Sequence, residues 1–444
     1  MEAVLNEIKI ERYPAYKDSG VEWLGEIPEH WEIVRSKRLF QQRKERARDN
    51  DQQLTASQKH GIISQQEFME LEGRRVTQVE FNRDILKHIE ANDFVISMRS
   101  FQGGIEYSEY SGCVSSAYIP LIPIKHVVPA YFKYLFKSDA YIKALSSTSN
   151  LVRDGQALRF ENFSDVDLII VPKEEQIAIA KFLDRKTAQI DKAIAQKEKL
   201  IELLKERRQI LIHNAVTRGL NPDVPIKDSG VEWIGKIPAH WEMKRMRSIF
   251  DYIQTGTTPS TTNTNFFDGA INWFTPKDLN EEILNISERK VSQLAIQKKE
   301  IKFFPGNSIL IVGIGATAGK TSYMPESSTF NQQITGFHTR GNNNKYYFYL
   351  LKDLAKVMLN TADFTTLPIL NNEFFKAFIL TVPPLEEQVG IVAYIQGLSS
   401  KIKRAIEQKV REIEKLKEYK ATLINAAVTG KIKVSEEIKH EYSE

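Results

Sequence analysis

Apolar side chains recur along residues 174–217 at Leu183, Ile190, Ile194, Ile201, Leu204 and Leu211, separated by three, four or seven positions. That spacing is the seam of a coiled-coil helix. Ile395, Ile402, Ile406, Ile413, Leu416 and Leu423 repeat the seam in the same register within residues 386–429. The polar interruptions match as well, Lys197 with Lys409 and Arg208 with Lys420. Pro172 and Pro383 stand just before the two runs, where a helix start accepts proline. A helix of this length extends roughly 60 Å at 1.5 Å per residue, and its seam needs cover. The other copy is the expected cover; two independent surface helices, or a zipper between two chains, is the alternative. Short apolar runs at residues 93–98 (DFVISM), 167–171 (DLIIV), 308–312 (SILIV) and 378–382 (FILTV) predict strands. The first should end in a glycine turn at Gly103 and Gly104, the third at Gly313, Gly315 and Gly319. Mixed α/β blocks therefore precede each long helix.

The chain is written twice. KDSGVEW occupies residues 17–23 and again 227–233; IPEHW at 27–31 returns as IPAHW at 237–241. Together with the two long helical repeats this gives a short repeat, a variable block and a long repeat, then all three again. The period of about 210 residues is domain-sized, so the pattern is a duplication and not a solenoid. The two blocks share strand outlines but little exposed sequence, as two related binding modules for different targets would.

Composition narrows the picture only at its edges. Lys and Arg number 61 against 57 Asp and Glu, a formal charge of +4, too mild to prove a nucleic-acid partner. The 42% hydrophobic and 27% charged content exclude wholesale disorder. One cysteine, Cys113, excludes a disulfide framework and a multi-cysteine zinc site. No apolar run approaches the 18 or so residues of a membrane span, and residues 1–12 lack a signal-peptide core; a cytoplasmic protein is expected.

Catalytic patterns are missing. GIGATAGKT at 313–321 imitates a phosphate loop, but Gly315 leaves three residues before Gly-Lys-Thr and Gly313 leaves five, where four are required. A strand-to-loop turn is expected instead, with Lys320 left to meet a phosphate on a polynucleotide. No HExxH, G-x-S-x-G or methyltransferase signature is present, so neither a catalytic residue nor a metal ligand is assigned. Glu174–Glu175 and Glu386–Glu387 open helices, where the macrodipole and capping account for acids. His30 and His240, each beside a repeat tryptophan, suggest a structural turn. Nucleic-acid features are stronger. Residues 35–48 (RSKRLFQQRKERAR) form a cationic stretch containing Lys37, Arg38, Arg43, Lys44 and Arg46. Side chains able to read base edges fill the loops: Arg99, Gln102, Arg153 and Gln156 in the first block, Asn263, Asn265, Asn331, Gln332 and Gln333 in the second. Lys277 and Lys320 complete the candidate contacts. A charge run is also the usual makeup of a solvated face, and polar loops are common as turns.

The order KDSGVEW–IPxHW, variable block, and a helix opened by VPKEEQ or VPPLEEQ, stated twice, resembles a DNA-specificity subunit of a type I restriction-modification system. The resemblance runs from about residue 13 to 433, and the second block adds residues 255–279, 304–321 and 330–337. The first block keeps only its strand outline and VRDGQALRF at 152–160. The resemblance implies an α/β (α+β) fold of two target-recognition domains, with a pair of long antiparallel coiled-coil helices between them and a pseudo-two-fold duplication. The segments would be 1–170, 171–220, 221–381 and 382–444. Each domain would read one half of a bipartite double-stranded DNA site, and the helices would set the separation. The implied partners are two methyltransferase subunits, which use S-adenosylmethionine on adenine N6, and restriction subunits, which use ATP and Mg. No cofactor would be bound by this chain. Two other readings stay open: a methylation-only or fused system, and a coiled-coil scaffold without DNA.

Overall fold

The computed structural model describes residues 11–73, 75, 85–98, 100–148, 158–362 and 369–434. The chain divides into two compact units, Met1–Glu198 with Val410–Glu444, and Lys199–Lys409. Each unit contains one copy of the short repeat, one variable block, and half of each long helix.

The short repeat folds as a hairpin, and its KDSG string explains why. In the first unit Tyr16–Asp18 pairs antiparallel with Glu26–Pro28; in the second Ile226–Asp228 pairs with Lys236–Pro238. The Asp18 and Asp228 carboxylates accept the amides of Gly20 and Gly230, both at 2.9 Å, and close an Asx turn. Those glycines have φ of 67° and 72°, the left-handed region that a side chain would disfavour. Trp31 and Trp241, which end the repeat, are fully buried.

Both variable blocks are built on the same four-stranded antiparallel sheet. In the first the spatial order is Phe40–Gln42, Ile119–Pro123, Phe94–Ile96, Glu106–Tyr107; in the second it is Tyr252–Thr255, Ile334–His338, Ser308–Val312, Thr321–Met324. In sequence terms each order is first, fourth, second, third. The duplication therefore extends through the blocks whose sequences diverge, because burial at nearly every position, as in Phe94–Ile96 and Ser308–Val312, constrains the inner strands while the loops stay free to change. Phe40 and Phe94 meet edge-on at 5.5 Å in the first core, as do Phe250 and Phe337 in the second. The glycine turn expected at Gly103 and Gly104 is instead a single helical turn, Ser100–Gly103, whose first residue is buried.

Each block returns to its long helix along a two-stranded ladder. Asp167–Ile170 pairs with Glu32–Arg35, and Ile379–Val382 with Glu242–Arg245. The helices follow directly, Lys173–Arg218 and Leu385–Val428. Within the first unit they run antiparallel, with Lys197 Nζ 2.5 Å from Glu412 Oε2 and Lys420 Nζ 2.7 Å from Asp191 Oδ2. Within the second unit Arg208 Nε donates to Ser399 Oγ at 3.1 Å, which ties the two helices together there. The seam is buried at Leu183, Ile190, Ile194, Ile201, Ile395, Ile402, Ile413 and Leu423, and half-buried at Leu204, Leu211, Ile406 and Leu416. Two helices covering each other's seam, the first of the alternatives, is what each unit displays.

Candidate nucleic-acid interface

The EEQ string that opens each helix holds the rest of its unit in place. Glu175 accepts the indole N–H of Trp31 (3.1 Å), the hydroxyl of Tyr13 (2.8 Å) and His30 Nε2 (2.7 Å). Glu387 repeats the arrangement with Trp241 (3.0 Å) and His240 (2.5 Å). Gln176 accepts the Val128 amide (2.8 Å) and donates to the carbonyls of Val171 (2.7 Å) and His126 (2.9 Å). Gln388 accepts the Asn343 amide (2.8 Å) and donates to Pro383 O and Asn342 Oδ1, both 2.9 Å. The second acid and the glutamine are thus clamps. Macrodipole and capping, the explanation drawn from sequence, miss this role. The repeated His-Trp and Glu-Gln pairs carried the signal, since two separated strings duplicated together are expected to touch.

In the first block the cationic stretch has two fates. Lys37 and Arg38 are exposed on the turn Ser36–Arg38, which Ser36 fastens to the Val166 carbonyl, and Lys44 and Arg46 are exposed beyond it. Arg43 is not a surface residue. It is 6% exposed, and its guanidinium forks onto Asp93 at 2.6 and 3.1 Å and reaches Glu45 at 2.6 Å. The expected DNA contact at Arg43 is therefore corrected to an internal ion pair, which holds the guanidinium protonated. Arg48 shares Glu45 with Arg43, at 2.9 Å, and pairs with Glu90 at 3.2 Å, which Arg43 also reaches at 3.5 Å. Gln102 is exposed on its helical turn. Arg99, Arg153 and Gln156 lie outside the described residues. A concavity of 410 Å³ in this unit is lined by Gln42, Lys87, Leu158, Arg159 and Glu161, among others. There Lys87 donates to the Tyr118 carbonyl at 2.6 Å, and burial lowers its pKa.

The second block gathers its candidates. Lys320 donates to Asn280 Oδ1 at 2.5 Å, and Asn280 Nδ2 donates to the carbonyl of exposed Lys277 at 2.8 Å. Exposed Gln332 accepts the Thr258 hydroxyl, and Gln333 accepts Asn331 Nδ2 at 3.2 Å. The Gly313 amide donates to the Gln333 carbonyl at 2.7 Å, which joins the Gln332–Gln333 turn to the glycine loop. That loop links two antiparallel strands, Ser308–Val312 and Thr321–Met324. A phosphate loop leads into a helix; this one leaves a strand, as the expected strand-to-loop turn would, and then enters a second strand. Among the described residues no cluster of His, Cys, Asp and Glu could hold a metal ion, and no helix is long and apolar enough to cross a membrane.

The pattern of the type I restriction modification DNA specificity domain matches residues 28–203 and, a second time, residues 238–415. The chain belongs to the type I restriction modification DNA specificity family. Each match runs from the end of the short repeat, through a four-stranded sheet, into a long helix. The MjaVIII specificity subunit of Methanocaldococcus jannaschii is 24% identical over 377 residues, covering 80% of this chain and 81% of that protein. The MjaIX specificity subunit of the same organism is 30% identical over 181 residues, 39% of this chain and 41% of that protein. Among solved structures, the HsdS subunit from Thermoanaerobacter tengcongensis aligns with a TM-score of 0.56 at 15% identity, over 91% of this chain and 98% of its own. A chain from a study of complex assembly and conformational transition of the type I R-M system aligns at 0.67, also 15% identical, over 90% and 98%. These two likenesses concern the fold. This chain is thus a type I specificity subunit carrying two copies of the specificity domain.

Proposed function

We propose that each specificity domain reads one half of a bipartite double-stranded DNA site, and that the chain itself performs no chemistry. The observation that carries this reading is the duplicated domain: one four-strand connectivity and one EEQ clamp, used twice, under loops that differ. A common frame with divergent loops suits two readers of unlike half-sites. Segments 1–170 and 221–381 would be the readers, and segments 171–220 and 382–444 the spacer and its tail. Lys37, Arg38, Lys44, Arg46, Gln102, Lys277, Lys320, Gln332 and Gln333 stay in the proposal as DNA contacts, and Arg43 leaves it.

The helices would fix the number of base pairs between half-sites, since rotation along B-DNA changes with every base pair. Two methyltransferase subunits would dock on equivalent surfaces of the two repeats. They would bring S-adenosylmethionine and flip the target adenine out of the duplex. Restriction subunits would bring ATP and Mg. This chain would bind neither cofactor and would work in the cytoplasm.

The test is exchange of residues 32–170 for the equivalent block of a relative, followed by mapping of methylated adenines in cells that also carry the methyltransferase. One half of the methylated motif should change and the other should remain. A change in both halves, or a methylome unaffected by the gene, would contradict the proposal.

A further inference from the structure

Arg289 stands on the loop between two paired strands of the second domain, Ile271–Phe274 and Lys290–Val291, outside every pattern that the sequence singled out. Its backbone is pinned. The Arg289 carbonyl accepts the Trp273 amide at 3.2 Å and the Ser287 hydroxyl at 2.5 Å. Asn272 holds the same loop through the Ser287 amide at 3.1 Å and the Asn285 carbonyl at 3.0 Å. The side chain is fixed as well, because the guanidinium carbon lies 5.0 Å from the Phe267 ring centroid and 5.0 Å from that of Trp273. The two rings meet edge-on with centroids 5.9 Å apart, and their cation–π attraction holds the guanidinium without supplying an oxygen acceptor to its N–H donors. Arg289 is nonetheless exposed, and among the described residues no carboxylate lies within ion-pair distance of it. An exposed, immobilised cation with an unused fork of donors lacks an acceptor within its own fold.

Its neighbours indicate which acceptor fits. Trp273 donates its indole N–H to the Thr257 carbonyl at 3.0 Å, and the next residue, Thr258, holds Gln332. On the other side the Glu288 amide donates to Asp278 Oδ1 at 2.8 Å, in the turn that carries Lys277 and the Asn280 partner of Lys320. Arg289 thus joins the Gln332 group to the Lys277–Lys320 group. We infer that Arg289 is a DNA-contacting, specificity-determining residue of the second domain, its guanidinium fork engaging a pair of oxygen or nitrogen acceptors on the duplex. This deepens the reading of that domain as a DNA reader and rests on it. Two acceptor pairs have the matching planar geometry, the O6/N7 edge of guanine and two oxygens of a phosphate.

The test uses the full chain expressed with its methyltransferase partner, with methylated adenines mapped in the genome. Block exchange at residues 32–170 first identifies the half-site that belongs to the second domain. R289M and R289Q remove the charge but keep bulk against the two rings, and thermal denaturation identifies which of them folds like the wild type. A folded variant should lose about tenfold or more in methylation of the wild-type motif. If R289K also relaxes one base position, in the second half only, guanine is the acceptor. If R289K keeps the motif and regains much of the lost methylation, a phosphate is the acceptor. Wild-type methylation of an unchanged motif by a folded uncharged variant overturns the inference. A wild-type chain that leaves the methylome unaltered defeats the underlying reading instead.

Discussion

Glu175 accepts the indole N–H of Trp31 at 3.1 Å, although 144 residues separate them in the chain. Trp31 is fully buried, so its N–H has no access to water, and the carboxylate at the helix start is its partner. Tyr13 donates to the same oxygen, and burial together with that carboxylate raises its pKa far above the ordinary tyrosine value.

Replacing Glu175 by Ala leaves both donors without a partner, at about 1–3 kcal/mol for each buried group. Glu387→Ala strands only the Trp241 N–H among the groups so buried, and should cost less. Chemical denaturation of the two variants checks the order. Equal losses would show that the Tyr13 bond adds nothing.

The Arg43–Asp93 pair separates stability from DNA contact. Asp93→Ala leaves a buried guanidinium without its main partner and should destabilise the chain by about 3–5 kcal/mol. Replacing both residues by apolar ones of similar volume should recover much of that loss. Lys37→Ala and Arg38→Ala, on an exposed turn, should shift stability by less than about 0.5 kcal/mol. Urea titration distinguishes the two groups, and a large loss from the turn variants would refute this division.

Lys197 and Glu412 form a cross-helix pair at 2.5 Å, partly open to solvent. Lys197→Glu and Glu412→Lys should each destabilise slightly, and the double reversal should restore the pair. The coupling should be about 0.2–1 kcal/mol and should shrink at high salt. A double-mutant cycle measures it, and zero coupling at low salt would mean that the pair is held without energetic consequence.

Glu106 gives a pH dependence of definite sign. Burial raises its pKa, and Lys137, 2.5 Å away, offsets this only in part. A carboxyl with a raised folded-state pKa stabilises most at acid pH, and that contribution is lost as pH climbs through the folded value. Glu106→Gln mimics the protonated form. It should match the wild type near pH 4 and gain on it towards about pH 8. A variant that is less stable than wild type at about pH 8 would show the Lys137 attraction to be the larger effect.

Much of the architecture was legible because it is periodic or repeated. The helical seam needs only side-chain spacing, and the duplication needs only string comparison. The individual contacts were less legible because they depend on distant partners. Arg43 reads as one more cation in a run until Asp93, fifty residues on, is placed beside it. Arg289 is invisible in sequence for a related reason. Its rigidity comes from Phe267 and Trp273, which local pattern gives no cause to bring together with it. The acids of the EEQ string misled differently, since a sound local explanation concealed a long-range one.

The division of the chain into units has a consequence for the order of folding. The second unit is one contiguous stretch, Lys199–Lys409, whereas the first joins Met1–Glu198 to Val410–Glu444. The Tyr131 hydroxyl bonds the Val428 carbonyl at 2.7 Å, and Tyr16 bonds the Gly430 carbonyl at 3.1 Å. The domain made first by the ribosome therefore cannot complete its core until the final helix has emerged, while the domain made later already has all its parts. Such closure over the longest sequence separations is slow. A break in the last turns of the second helix would accordingly injure the first domain and leave its neighbour intact.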